Sequence, residues 1–405
     1  MDCSTLSGVG PARESCQVEE IHEDGRITLT LQKIAVVTCT GWLLLVPLSA
    51  QTTSVSQDQS LHINQIQVIG THNSYRAGLT PAETALLSQQ ERRLSQSIDY
   101  RHAPLDQQLT AGVRQIELDV FPDRQGGRFT HPPVTSPAAS AGPNFDPEGE
   151  MQKPGFKVMH MQDIDQHSTC LTLVHCLAIV RTWSRQHPEH LPVFILIDCK
   201  TARIAGPSGG VTFESMTPVL FDALQGEILS VFPPGEIITP DQVRGAHATL
   251  LQAISAGGWP TLAAARGKVI FLLDNLDLAS VYDRGDGALR GRILFPDTTP
   301  GTPDSAFVEV NNGTRGKIEA LVRQGYLVRT RADADTREAR AGSTLRRDEA
   351  LASGAQLIST DYPASEPAAW TGYSVSLAQG SMVRCNPINQ PPACRNDLLE
   401  SPAQH

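Results

Sequence analysis

The stretch 113–121, VRQIELDVF, decides how the rest of the chain is read. Its β-branched, aliphatic and aromatic residues mark a strand, yet it carries Glu117 and Asp119 two residues apart. Side chains two apart on a strand share a face, so the two carboxylates point the same way while Ile116, Leu118 and Val120 point the other. Buried side by side, two carboxylates repel unless a proton or a cation joins them. The strand therefore predicts a sheet with one apolar face and one face that holds a charged site.

Similar runs recur along the chain. Strands are expected at 65–71 (QIQVIGT), 113–121, 156–161 (FKVMHM), 192–199 (PVFILIDC), 268–274 (KVIFLLD), 306–310 (AFVEV), 326–331 (YLVRTR) and 356–361 (QLISTD). Helix-like segments fall between them, at 81–99, 171–187, 214–231, 315–324 and 346–353. Alternation of nearly continuous apolar strands with helices implies parallel strands covered by helices. Eight such units give the expected fold, an α/β (β/α)8 TIM-like barrel over residues 63–380. A doubly wound open sheet is the structural alternative, but no glycine-rich phosphate loop follows the first strand. The segment 122–155 is rich in Pro, Gly and Ser and is long for a loop above a barrel strand.

In such a barrel the C-terminal ends of the strands carry the chemistry. There the chain places His72-Asn73-Ser74, Glu117 and Asp119, His160, Asp198 and Lys200, Asp274 and Asn275, and Asp361-Tyr362. Glu117, Asp119, Asp198 and the amide oxygen of Asn73 form a hard oxygen set, suited to Ca²⁺ or Mg²⁺ and not to zinc. His72 and His160 could flank it as an acid–base pair around a metal-held phosphate. His102 reads as structural, and His131, His167, His175, His187 and His190 as surface or packing residues. Asp163 and Asp165 could line the site or only solvate a turn.

The chain has 405 residues and a net charge of -10, with no dense Lys/Arg stripe, which argues against a nucleic-acid partner. Residues 33–50, KIAVVTCTGWLLLVPLSA, follow a signal-peptide plan with an apolar stretch at about 34–48. The expected destination is secretion or the periplasm, with a membrane anchor formed by the same segment as the alternative. The polar residues before it fit a leader poorly. Residues 51–62 read as a linker and 381–405 as a C-terminal tail. Of the cysteines after residue 50, Cys385 with Cys394 and Cys170 with Cys176 could form disulfides, leaving Cys199 as a buried thiol.

The segments IGTHNSYR (69–76), PLDQQLTAGVRQIELDVF (104–121), FKVMHMQDID (156–165) and STDYP (359–363) resemble the bacterial calcium-dependent phosphoinositide phospholipase C family. The resemblance implies that His72 and His160 are catalytic and that Asn73, Glu117 and Asp119 hold Ca²⁺. Asp198 falls where a fourth ligand, usually Glu, is expected. Lys200 would meet the substrate headgroup, Asp361 would orient His72, and Asp274 and Tyr362 are further substrate-facing rim residues. The implied partners are a phosphoinositide or related phosphodiester lipid and, transiently, a membrane surface, with the enzyme acting as a monomer. Rival readings are a glycerophosphodiester phosphodiesterase, which normally has His-Arg-Gly where this chain has His72-Asn73-Ser74, and a catalytically silent lipid- or calcium-binding barrel.

Overall fold

The computed structural model describes residues 57–130, 145–200, 211–212 and 214–400. The signal-peptide segment, the start of the linker, residues 131–144 of the long loop with His131, and residues 401–405 lie outside the described residues. The strands are β1 (Ile66–Thr71), β2 (Gln115–Phe121), β3 (Lys157–Val158), β4 (Val193–Cys199), β5 (Ile237–Ile238), β6 (Val269–Leu273), β7 (Leu294–Pro296), β8 (Phe307–Glu309), β9 (Leu327–Arg331), β10 (Leu357–Thr360) and β11 (Val383–Cys385). Hydrogen bonding orders them β5-β6-β4-β2-β1-β10-β9-β8, with β7 also on β6. A single parallel bridge, Asp297 to Phe307, joins the end of β7 to β8. The Glu309 N–H adds a 2.9 Å bond to Asp297 Oδ1. The sheet thus curls back on itself as the ring β1-β2-β4-β6-β7-β8-β9-β10, the expected (β/α)8 arrangement.

Two strand assignments change. The 156–161 run is not a barrel stave: only Lys157 and Val158 are extended, and they pair antiparallel with Phe121 and Val120 at the top of β2. β2 and β4 pair directly instead, and the eighth stave is Leu294–Pro296, between β6 and β8. That strand is only three residues long and ends in a proline, too short to show a period. The C-terminal segment read as a tail contributes β11, antiparallel to β1. Two disulfides form, Cys170–Cys176 and Cys385–Cys394, and Cys199 is a buried thiol. The last linker residues are packed as well, with Asp58 paired to Arg266 at 2.6 Å.

The outer faces of the staves, among them Leu118, Val120, Ile195 and Ile197, are completely buried. Long helices lie against them, Leu173–Gln186, Pro218–Val231 and Arg315–Arg323 among others. Each of these three starts behind a threonine whose hydroxyl accepts the third backbone N–H: Thr172, Thr217 and Thr314. Among the described residues no helix is long and apolar enough to cross a membrane. Inside the ring, Gly70 matters by what it lacks. A Cβ there would lie 2.1 Å from Gln115 Oε1 and 2.5 Å from Gln115 Cβ, so glycine lets β1 sit against the inward Gln115 of β2.

At the lower end of the barrel, His190 is buried between two polar groups. Its Nδ1–H donates to Leu191 O at 2.5 Å and its Nε2 accepts from Ser184 Oγ at 2.7 Å. Burial pushes its pKa down from 6.5 to about 4, against the pull of the Leu191 carbonyl. The folded state keeps His190 neutral where the unfolded chain would already bind a proton, so stability falls as pH drops from about 6.5 toward 4. The shift corresponds to a loss of roughly 3 kcal/mol at most. His190→Gln is expected to flatten that part of a urea-unfolding pH series; an unchanged slope would show that another group titrates there.

Candidate active site

β2 turns Gln115, Glu117 and Asp119 into the barrel, and all three are buried. Because β2 and β4 are parallel and in register, Asp119 sits directly beside Asp198. Two adjacent carboxylates need a cation, and Lys200, two residues along the same face, supplies one. Its Nζ lies 2.6 Å from Asp119 Oδ2 and 2.6 Å from Asp198 Oδ2. Burial would lower the lysine, but the two carboxylates hold its pKa well above the usual range. Asn275 Nδ2 donates to the other Asp198 oxygen at 3.0 Å.

Glu117 is met from across the barrel. Arg329 on β9 donates through Nη2 to Glu117 Oε2 at 2.5 Å and reaches Glu309 Oε2 at 3.2 Å. Burial still pushes Glu117 up to about 7 against that arginine, and raises Glu309 and Asp274 as well. Around this layer stand six carboxylates, Glu117, Asp119, Asp198, Asp274, Glu309 and Asp361, against three cations, Lys200, Arg329 and Arg331.

His72 follows β1 directly, and its Nδ1–H donates to Asp361 Oδ1 at 2.8 Å. That bond fixes the tautomer and leaves Nε2 with a lone pair, 3.5 Å from Glu117 Oε1. Burial, with the Arg331 guanidinium beside the ring, lowers its pKa to about 3 in spite of Asp361. Asn73, next along the chain, is left-handed at φ 48°. With its amide nitrogen inward it donates to both Asp119 oxygens at 3.1 Å, and its oxygen accepts from Tyr100 Oη at 2.7 Å. A half-turn of that amide would present an oxygen to Asp119 instead.

His160 comes from the arm beyond β3. There Met161 and Asp165 bond each other's backbone at 3.1 and 2.9 Å, and Asp163 is left-handed at φ 66°. The tight loop returns Asp165 to His160, whose Nδ1–H donates to Asp165 Oδ2 at 2.9 Å. Burial lowers His160 although Asp165 opposes it. The side chains of His72 and His160 remain 18% and 15% exposed, against 4% for Glu117 and none for Asp119, so the imidazoles are reachable, as are Asp198 and Lys200 at 19% and 24%.

The structure thus gathers His72, Asn73, Glu117, Asp119, Asp198, Lys200, Asp274 and Asp361 in the upper barrel, with His160 alongside. Tyr362 is not among them. Its ring turns outward against Trp370 and Tyr373, into a separate cavity of about 540 Å³. Sequence reading gave no role to Arg329, Arg331, Glu309 or Arg76. A signal was present: Arg329-Thr330-Arg331 puts two cations on one strand face, mirroring Glu117-Leu118-Asp119. His102 is structural, donating through Nε2 to His72 O at 2.9 Å with Glu366 on its Nδ1. His167 pairs with Glu83, and His187 stacks on Trp183.

Among the described residues no three His, Cys, Asp or Glu side chains already converge as a ready-made metal cage. The donor chemistry nevertheless fits a divalent cation. Carboxylates outnumber cationic side chains in the buried layer, burial pushes Glu117, Asp119, Asp274 and Glu309 toward protonation, and the Asn73 amide already faces Asp119. Removing a cation from this layer should therefore be costly. Arg329→Met is expected to destabilise the fold by about 3–5 kcal/mol at pH 8, because it strands Glu117 and Glu309. At pH 5.5, where those raised carboxyls take up protons, the loss should be smaller. An equal loss at both pH values would mean that packing, not charge, is what Arg329 provides.

Residues 61–387 match the family described as phosphoinositide phospholipase C, Ca²⁺-dependent. No curated protein sequence matches significantly. Among solved structures, the chain is similar to a calcium-dependent phosphoinositol-specific phospholipase C from a Gram-negative Pseudomonas species, in its apo, myoinositol-complexed form. Identity is 17% and the TM-score 0.50, covering 82% of this chain and 97% of that one. Another similar structure is a Ca²⁺-dependent phosphatidylinositol-specific phospholipase C from Streptomyces antibioticus. It is 18% identical with a TM-score of 0.46, over 75% of this chain and 95% of that one. The Pseudomonas likeness supports the barrel fold, and the family match spans most of the sequence: the chain belongs to the calcium-dependent phosphoinositide phospholipase C family.

Proposed function

We propose that the protein is a secreted, calcium-dependent phosphodiesterase that cleaves phosphatidylinositol-type lipids to diacylglycerol and a cyclic inositol phosphate. The observation that carries this reading is the pair of reachable histidines, each backed by its own buried carboxylate, beside a layer with surplus negative charge. Asn73, Glu117, Asp119 and Asp198 would hold Ca²⁺, which supplies charge stabilisation to the phosphate when bound. His72, kept neutral by its surroundings, accepts the proton of the inositol hydroxyl next to the phosphodiester. As the new oxygen–phosphorus bond forms, the bond to the glycerol oxygen breaks. His160, entering the step as the imidazolium with Nδ1–H on Asp165, delivers its Nε2 proton to that oxygen and is left neutral. Lys200, at the open end of the layer and 24% exposed, would meet the anionic headgroup. Water can then open the cyclic product with the two histidines in exchanged roles. Two disulfides support a working place outside the cytoplasm.

The test is direct. His72→Ala and His160→Ala should each lower kcat on phosphatidylinositol vesicles by about 10²–10⁴. Chelation should abolish turnover and added Ca²⁺ restore it, with the phosphorus NMR signal of a cyclic product appearing first. Full activity in either histidine variant, or in chelator, would remove the corresponding part of the reading. Turnover of glycerophosphoinositol in preference to the lipid would point to a glycerophosphodiesterase.

Contact with a membrane would come from the barrel rim. Among the described residues the exposed large apolar side chains are Val174, Val219, Leu276, Leu345 and Trp370. Each stands in a loop or first helical turn that follows a strand, on the side where the site opens. Arg346, beside Leu345, bonds the carbonyls of Arg331 and Asn311 at the ends of β9 and β8. Apolar side chains ringing a site whose substrate lies in a bilayer can dip into the acyl boundary. Replacing Leu276 and Leu345 with Ser should weaken vesicle binding about tenfold while sparing turnover of a soluble inositol phosphodiester. Undiminished vesicle binding would exclude the rim as the contact.

A further inference from the structure

We propose that the buried Arg76–Asp165 ion pair is the positioning device of His160, and that it ties His160 to the turn that carries His72 and Asn73. The inference rests on the reading of His160 as the proton donor to the leaving oxygen.

Arg76 and Asp165 are desolvated, with side-chain exposures of 1% and 0%. A pair buried this deeply is weak support for stability, because removing two charges from water costs about what their attraction returns. Its geometry points to another use. Asp165 Oδ2 accepts from Arg76 Nε at 2.5 Å and from His160 Nδ1 at 2.9 Å. The other oxygen, Oδ1, is buried without a hydrogen-bond partner, so the carboxylate is committed to one guanidinium and one imidazole. Burial alone would raise Asp165, but Arg76 outweighs it and keeps the carboxyl below the usual range. An ionised Asp165 holds a proton on Nδ1 and favours the imidazolium, which carries its second proton on Nε2.

Arg76 is itself held from four sides. Its Nη1 donates to Tyr100 O, and its guanidinium lies 4.7 Å from the Tyr100 ring centroid. Its backbone N–H donates to Asn73 O at 2.9 Å, closing the left-handed turn after His72, and its carbonyl accepts from His102 N at 2.9 Å. Tyr100 in turn reaches His72 Nδ1 at 3.2 Å through its hydroxyl. One residue therefore fixes the main chain of the His72 turn and, through its side chain, the carboxylate behind His160. Asp165 and Arg76 need not touch substrate; they act through His160.

The experiment compares two leaving groups. On phosphatidylinositol the departing oxygen needs a proton. On inositol 4-nitrophenyl phosphate it does not, because nitrophenolate is stable. His160→Gln, Asp165→Asn and Arg76→Lys are measured on both, with thermal unfolding as the folding check. The expected result is a kcat loss of about 10² or more for H160Q and D165N on the lipid, under tenfold on the nitrophenyl ester, and little change in KM. R76K, which keeps the charge but not the planar fork, should show the same bias at about tenfold. If D165N does not fold, the R76K ratio decides. Equal losses on both substrates for D165N or R76K beside a biased H160Q would overturn the positioning role while leaving His160 as the acid. Absence of bias in H160Q itself would overturn both the acid assignment and this inference.

Discussion

The structure depends on one electrostatic constraint: β2 carries Glu117 and Asp119 into the closed interior of a barrel. In most barrels of this kind branched aliphatic side chains fill that space in layers. Here Phe194, Leu196 and Leu272 fill lower positions, and the level above them is ionic. Each carboxylate brings a partner from a different stave. Asp119 is answered by Lys200 beyond β4, Glu117 by Arg329 on β9, and the His72–Asp361 pair by Arg331. Register decides these partnerships, since a slip of one residue on any stave would turn its charges out of the barrel.

The same ring explains why the two histidines differ. His72 rides on a stave, and its Nδ1 bond goes to Asp361 at the end of the neighbouring stave. His160 rides on the arm that β3 builds on top of β2, outside the ring, and takes its carboxylate from its own loop. A stave and an arm approach the carboxylate layer from different directions, which suits the acid–base division proposed for the two imidazoles.

Much of this was legible in the sequence. Long aliphatic runs gave seven of the eight staves, and polar residues at their ends gave the rim. The failures have physical causes. FKVMHM has the composition of a buried strand, but composition is blind to direction, and the pairing of Val158 with Val120 is antiparallel. Leu294–Pro296 is too short to carry a period and is recognisable only once its neighbours are in place. Arg329 and Arg331 were in plain view inside an expected strand. Charges there are as costly as Glu117 and Asp119, and their spacing was the same signal with the opposite sign. Tyr362 was misplaced because alternation continues past the strand end: if Asp361 faces inward, its successor faces out.

The two basic groups nearest the carboxylates are not equivalent, and their exposure shows the division. Arg329 is 2% exposed and bonded to Glu117, Glu309, Asn311 and Ser359, so it is a permanent part of the wall. Lys200 is 24% exposed, sits on a flexible stem, and brings one charge to two carboxylates. The unmet negative charge therefore lies at the open end of the layer, around Asp119 and Asp198, where the Asn73 amide also points. A singly charged ammonium satisfies that corner only in part, and a divalent ion matches its charge more closely. The charge that a bound cation would answer thus lies at the solvent-facing edge of the layer, where Asp198 and Lys200 are 19% and 24% exposed.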